Sequence, residues 1–205
     1  MVAIEADRRL YEKLKEELAG YGKLKLFHGD ALKFDYSGLG EFKVVANIPY
    51  HITTPLLFKL LEQKNLNSMT LTIQKEVAER IAAGPGSKTY GVLSIMVQYR
   101  AKPELKFIIP AGAFRPVPKV DSACIRIDVY ERPPIRVKDE ALFSRVVRAA
   151  FSQRRKTILN GIKPITDEPG KILEMAGIDP KRRPETLSLQ EFACLAEALT
   201  YTRRT

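Results

Sequence analysis

The chain has 205 residues, 45% of them apolar, and 34 Lys and Arg against 24 Asp and Glu give a formal net charge of +10, so it can form one large domain or a domain with an appendage. No apolar run nears the roughly 18 residues of a membrane span, Met1–Glu5 carries no secretory pattern, and Cys124 and Cys194 stand far apart without a CxxC or clustered histidines, which argues against a metal site and a disulfide framework and suits a reducing cytoplasm. The positive excess favours a polyanionic partner, nucleic acid ahead of membrane, because no strongly amphipathic basic helix stands out.

In chain order, the first 130 residues alternate strand-like and helix-like segments. Val2–Ile4 is a short apolar strand ending at Glu5. Asp7 to Leu18 is helical, with Leu10, Leu14 and Leu18 on one face and Gly20 and Gly22 beyond its end. Leu24–Phe27 is a second strand, closed by Gly29-Asp30. Phe42–Ala46 is a third and reads as a buried strand leading into Asn47. Thr53 or Thr54 is placed to cap a helix that begins near Pro55 and carries Leu56, Leu57, Leu60 and Leu61. Met69–Ile73 is a fourth strand and Lys75–Ala83 another helix, the pattern of a parallel sheet with crossover helices. After Gly84-Pro85-Gly86 a helix is expected around Tyr90–Tyr99, and Leu105–Ile109 with Ala123–Val129 reads as a closing antiparallel pair.

Arg132-Pro133-Pro134 marks a break in composition. Beyond it, Leu142, Val146, Val147 and Ala150 form a helical stripe, Ser188–Leu199 forms another, and a shorter helical piece lies near Lys171–Ala176. No strand pattern follows residue 135. The expected division is an α/β domain over residues 1–134 and a small all-helical domain over 135–205.

The most informative residues are Asn47-Ile48-Pro49-Tyr50, which follow the third strand. They present an amide, a proline-fixed backbone and an aromatic ring at the carboxyl end of a sheet strand, where open α/β sheets bind ligands. The Asn47 side-chain oxygen and the Ile48 carbonyl can accept the two hydrogens of an exocyclic amine. Pro49 has no N–H and biases Ile48 toward an extended conformation, which helps aim that carbonyl. The Tyr50 ring can lie on the face of a base, as aromatics do for extruded nucleotides. On these four residues alone, a strand followed by an ordinary proline turn explains the pattern equally well. Basic residues cluster later, at Arg154-Arg155-Lys156, Lys181-Arg182-Arg183 and the terminal Arg203-Arg204, and clustered charge suits phosphate neutralisation.

Five stretches in this order carry a resemblance to the ribosomal RNA adenine N6,N6-dimethyltransferases, the KsgA family: Glu5 after the first strand, Gly29-Asp30-Ala31, Asn47-Ile48-Pro49-Tyr50-His51-Ile52-Thr53, the run from Phe114 to Ser122, and the run from Phe151 to Thr157. The resemblance covers essentially the whole chain. It implies a Rossmann-like fold dependent on S-adenosylmethionine, here with an incomplete methyltransferase domain over residues 1–134 and an RNA-binding helical domain over 135–205. Its members dimethylate two adjacent adenines near the 3′ end of 16S rRNA, so the implied partner is the immature small ribosomal subunit, met by a cytoplasmic monomer with no membrane and no metal.

Carried over residue by residue, the resemblance makes Glu5 the acceptor for the ribose hydroxyls of S-adenosylmethionine. Asp30, with the Ala31 backbone, takes the cofactor adenine, and Asn47 contacts cofactor and target amine. Phe114 becomes a second ring, opposite Tyr50, on the flipped adenine, where stacking of this kind contributes roughly 1–3 kcal/mol per base. Pro116 and Pro118 would stiffen its loop. Arg115, Lys119, Arg154, Arg155 and Lys156 are implied to face RNA. Asn47, Ile48, Pro49, Tyr50 and Phe114 thus form the implied catalytic set. The adenine N6 lone pair is delocalised into the ring, and two acceptors on its hydrogens return density to nitrogen; proximity and electrostatics then carry the reaction without a general base.

A strand, a glycine-rich loop and a helix normally precede the ribose-binding acid in the family, yet the chain contains no Gly-x-Gly-x-Gly pattern. The sequence therefore reads as lacking the first strand and that loop, with unpaired sheet edges and weak binding of S-adenosylmethionine as expected consequences. Two other readings remain: an Erm-type 23S rRNA methyltransferase, which shares Asn-Ile-Pro-Tyr, and a non-catalytic rRNA-binding or ribosome-assembly factor. The Gln153–Thr157 stretch favours the first family over the Erm type.

Overall fold

The computed structural model describes residues 1–153 and 155–202. The chain forms two compact units that interleave along the sequence: Met1–Phe42 with Ile48–Leu66, and Lys43–Asn47 with the chain from Asn67 onward.

In the first unit, β1 (Val2–Glu5) and β2 (Lys25–His28) pair in parallel, with Val2 opposite Lys25 and Glu5 opposite His28. The crossover between them is α1 (Arg8–Glu17), started by Asp7, whose side chain accepts from the backbone N–H groups of Arg9 and Leu10. The Leu10, Leu14 and Leu18 stripe is present but only partly covered, with Leu10 51% exposed. Beyond β2, the rings of Phe27, Phe34, Tyr36 and Phe42 contact one another in sequence, with centroids 5.4, 5.0 and 6.0 Å apart. The helix expected near Pro55 is α2 (Thr53–Leu61), with Leu56, Leu57, Leu60 and Leu61 all buried. It begins earlier than the threonine-cap reading proposed, because a 3-10 turn at Tyr50–Ile52 leads directly into it. Thr53 therefore lies inside the helix, and its buried hydroxyl has no hydrogen-bond partner among the described residues.

The second unit is built on a four-stranded sheet of β3 (Phe42–Asn47), β4 (Leu66–Gln74), β5 (Ala101–Ile109) and β6 (Ser122–Val129), in the order β3-β4-β6-β5. β6 runs antiparallel to both neighbours. The parallel sheet expected from the sequence is thus realised in β1 and β2, while here the returning strand inserts between β4 and β5. β3 also departs from its reading as a buried strand. It is an edge strand whose residues alternate between half-buried and exposed, and Val45 is 83% exposed. Burial of both faces needs flanking strands and covering layers, which an edge position does not supply.

α3 (Lys75–Ala82) and α4 (Val92–Arg100) follow β4, and α5 (Glu140–Phe151), α6 (Ile158–Ile162), α7 (Pro169–Met175) and α8 (Leu189–Thr202) follow β6. The predicted stripe of Leu142, Val146, Val147 and Ala150 is buried in full. It shares one core with Ile95 and Tyr99 of α4 and Phe192 of α8. Burying a side chain such as Phe143 or Phe192 contributes about 1.5–3 kcal/mol. Gly86 has φ +84°, which favours glycine, and its N–H donates to the Glu185 carbonyl at 2.7 Å.

Candidate functional site

Glu5 and Asp30 lie just at or beyond the carboxyl ends of the two parallel strands in the first unit. The Gly29 N–H donates to the Glu5 carbonyl at 2.9 Å, which extends the strand pairing up to Asp30. Each carboxylate uses one oxygen on a backbone N–H two residues further on: Glu5 Oε1 accepts from Asp7 at 2.8 Å and Asp30 Oδ1 from Leu32 at 2.8 Å. Among the described residues the second oxygen of each makes no hydrogen bond. Asp30 is exposed, and Glu5 and Ala31 are half-buried.

The turn after Asp30 is firmly held. The Tyr36 hydroxyl donates to the Ala31 carbonyl at 3.0 Å, and Lys59 Nζ from α2 donates to the Leu32 carbonyl at 2.7 Å. Burial raises the Tyr36 pKa, and the negative charge of Asp30 adds to that shift. Two carboxylates at adjacent strand ends suit ribose hydroxyls and an exocyclic amine, so this donor set fits S-adenosylmethionine.

The boundary between the two units falls inside the Asn47–Tyr50 segment. Asn47 ends β3 and is exposed; Ile48 is buried at 2% exposure; Pro49 is exposed and Tyr50 half-buried. Pro49 has an extended backbone, φ −55° and ψ 129°. The 3-10 turn is closed by Ile52 N–H on the Pro49 carbonyl and Thr53 N–H on the Tyr50 carbonyl, so it begins after Ile48. The Ile48 carbonyl stands outside those turn bonds while its side chain anchors the segment. A surface amide followed by a carbonyl held by a buried side chain is what an amine-accepting site needs.

In the second unit, Phe114 is half-buried and follows a 3-10 turn at Ala111–Ala113. Asp121 closes this loop: its Oδ1 accepts from the Ala111 N–H at 3.0 Å and its carbonyl from the Lys75 N–H at 3.0 Å. Arg115 Nη1 turns back to donate to the Gly112 and Phe114 carbonyls at 3.0 and 2.9 Å, bracing the loop beside the ring. Lys119 is exposed and lines a cavity of about 410 Å³ together with Gln74, Lys75, Glu76, Glu79 and Asp121. Gln74, Lys75 and Glu76 were not singled out from the sequence. Their signal is positional, because they stand where β4 ends and α3 begins.

Arg155 and Lys156 are exposed between α5 and α6, whereas Arg154 lies outside the described residues. Among the described residues no group of three or more His, Cys, Asp or Glu could hold a metal ion. None of the described helices is long and apolar enough to cross a membrane.

Parallel strands joined by a crossover helix, a further mixed sheet and a helical C-terminal part make an α/β fold of the Rossmann-like methyltransferase class. Solved structures show the same fold: a dimethyladenosine transferase from Plasmodium falciparum superposes with a TM-score of 0.81 at 28% identity, covering 95% of this chain and 79% of that one. The 23S rRNA methyltransferase ErmE superposes with a TM-score of 0.75 at 23% identity, covering 97% of this chain and 81% of that one. The family model described as "Ribosomal RNA adenine dimethylase" matches residues 1–200. Proteins named "Ribosomal RNA small subunit methyltransferase A" are 47% identical in Shouchella clausii, covering 100% of this chain and 74% of that protein, and 45% identical in Moorella thermoacetica, covering 98% and 75%. The chain belongs to the ribosomal RNA adenine dimethylase family, whose methyl donor is S-adenosylmethionine.

Proposed function

We propose that the chain dimethylates N6 of two adjacent adenines near the 3′ end of 16S rRNA, working as a cytoplasmic monomer on the immature small subunit. The observation that carries this reading is the Asn47–Tyr50 segment, with an exposed amide at a strand end and an anchored Ile48 whose carbonyl lies outside the following turn. The choice of small-subunit RNA rests on the names of relatives 45% and 47% identical to this chain.

Bound S-adenosylmethionine supplies an activated methyl sulfonium. Glu5 accepts from its ribose hydroxyls, and Asp30 with the Ala31 backbone receives its adenine amine. Asn47 Oδ1 and the Ile48 carbonyl accept hydrogens of the target N6, which pushes electron density onto the nitrogen that attacks; each transfer would exchange the S–CH3 bond for an N–CH3 bond, leaving a thioether and releasing one N6 proton to solvent. Pro49 fixes the direction of the chain there. Tyr50 and Phe114 each offer a ring face to an extruded adenine. Arg115 holds the Phe114 loop in shape, while Lys119, Arg155 and Lys156, joined by Arg154, meet phosphates.

The test is to methylate immature small subunits and 23S rRNA side by side and to map N6,N6-dimethyladenosine by primer extension. Product confined to the 3′ region of 16S rRNA supports the proposal. Product on 23S rRNA would favour an Erm-type activity, and RNA binding without any product would favour an assembly factor.

A further inference from the structure

The connection from β5 to β6 runs over residues 110–121 and carries Phe114, yet its regular structure is confined to the 3-10 turn at Ala111–Ala113. Ordering such a connection costs entropy that a tie between its two ends offsets. Asp121, its last residue, supplies that tie. The Asp121 carbonyl accepts the Lys75 N–H at 3.0 Å, one step beyond the pairing of Gln74 with Ser122 in the β4–β6 ladder. Ser122 itself is fully buried and stands between Gln74 of β4 and Ile109 of β5. The backbone that carries the Asp121 carboxylate is therefore held by the sheet.

From that anchor the carboxylate reaches back to the start of the connection. Its Oδ1 accepts from the Ala111 N–H at 3.0 Å, and the Ala111 carbonyl in turn accepts the Phe114 N–H at 3.2 Å. A single residue, Ala111, thus links a sheet-held carboxylate to the backbone of the aromatic. Lys75 and Lys119 line the same cavity as Asp121, but Asp121 makes no ion pair among the described residues. Its carboxylate acts here as a hydrogen-bond acceptor, a task that does not need the charge.

We infer that Asp121 is a positioning residue for methyl transfer, which holds Phe114 through Ala111 so that the ring is in place for an extruded adenine. The inference rests on the reading of Phe114 as a stacking ring given above. It assigns a role to a carboxylate that acts through the loop rather than on the reacting atoms.

The experiment measures kcat/KM for methyl transfer to immature small subunits by the 205-residue chain. The variants are Phe114→Ala, Asp121→Ala, the two combined, and Asp121→Asn, which keeps the side-chain oxygen. Amide hydrogen exchange at residues 111 and 114 is followed in the same chains without substrate. Phe114→Ala is expected to lower kcat/KM about 10–100-fold. Asp121→Ala alone should lower it about 10-fold, through a misplaced ring, and should speed exchange at both amides. Asp121→Asn should match the wild type in both measurements. Added to Phe114→Ala, Asp121→Ala should cause no further loss, because a ring that is absent cannot be misplaced.

An equal loss from Asp121→Ala with and without the ring would mean general damage to the fold and would overturn the inference. So would unchanged exchange at residue 111 in Asp121→Ala, or an Asp121→Asn chain as impaired as Asp121→Ala. If Phe114→Ala lowers activity and Asp121→Ala does not, the positioning role is wrong and the stacking reading stands. If Phe114→Ala has no effect, or the wild-type chain forms no product, the stacking reading fails and the inference falls with it.

Discussion

Lys59 donates to the carbonyl of Leu32 at 2.7 Å and so ties α2 to the turn that carries Asp30 and Ala31. Its ammonium also lies 5.6 Å from the centroid of the Tyr36 ring, whose hydroxyl holds the adjacent Ala31 carbonyl. Two consecutive carbonyls are thus held by two side chains, in the turn proposed to receive the cofactor adenine.

Removing the Tyr36 hydroxyl isolates one of those ties. Tyr36→Phe keeps the ring and its contacts with Phe34 and Phe42, and loses one hydrogen bond in a mostly buried position. Urea unfolding is expected to show a loss of about 1 kcal/mol, with Lys59→Met giving a loss of similar size.

At Gly161, α6 packs directly against the backbone of α5. A Cβ placed there would lie 2.9 Å from the Ala150 carbonyl oxygen and 3.0 Å from its Cα. Backbone cannot swing aside as a side chain can, so Gly161→Ala should destabilise the chain by about 1–3 kcal/mol. A lowered thermal midpoint with an unchanged far-ultraviolet spectrum would be the expected signature.

Glu191 makes stability depend on pH in the acid range. Burial pushes its pKa up, but hydrogen bonds from Arg182 and from the Ser188 N–H and hydroxyl outweigh this, and the net shift is below the ordinary 4.5. With the folded value depressed, the carboxylate stabilises the fold above its unfolded pKa, and that contribution is lost as pH falls through the folded value. Glu191→Gln should cost about 1–2 kcal/mol at neutral pH. The gap from wild type should close as pH drops below about 4.5.

Much of this molecule is legible in its sequence where a local pattern decides the outcome. The α5 stripe follows from 3.6-residue spacing, and β5 and β6 pair as their apolar runs suggest. The edge position of β3 is not legible, because strand order depends on which segments meet in space and Phe42–Ala46 reads the same at an edge or a centre. α6 is only five residues long, too short to show a period. The approach of the Pro180–Arg182 backbone to the start of α6 depends on a contact across 24 residues, Ile158 to Arg182, that no motif announces. The Asn47–Tyr50 segment stands out in the sequence because Asn, Pro and Tyr follow a strand in fixed order, and in the structure β3 ends at Asn47. The cavity beside Lys119 was missed because Gln74, Lys75 and Glu76 look like an ordinary helix start.

Asn47 provides the most direct test. It is exposed at the end of β3, so Asn47→Ala should leave unfolding and RNA affinity unchanged. With millimolar S-adenosylmethionine and immature small subunits, methyl transfer to adenine N6 should fall about 10²–10³-fold, the usual cost of removing one transition-state hydrogen bond. An Asn47→Ala chain that forms N6,N6-dimethyladenosine at the wild-type rate, or a wild-type chain that forms none, would contradict the assignment.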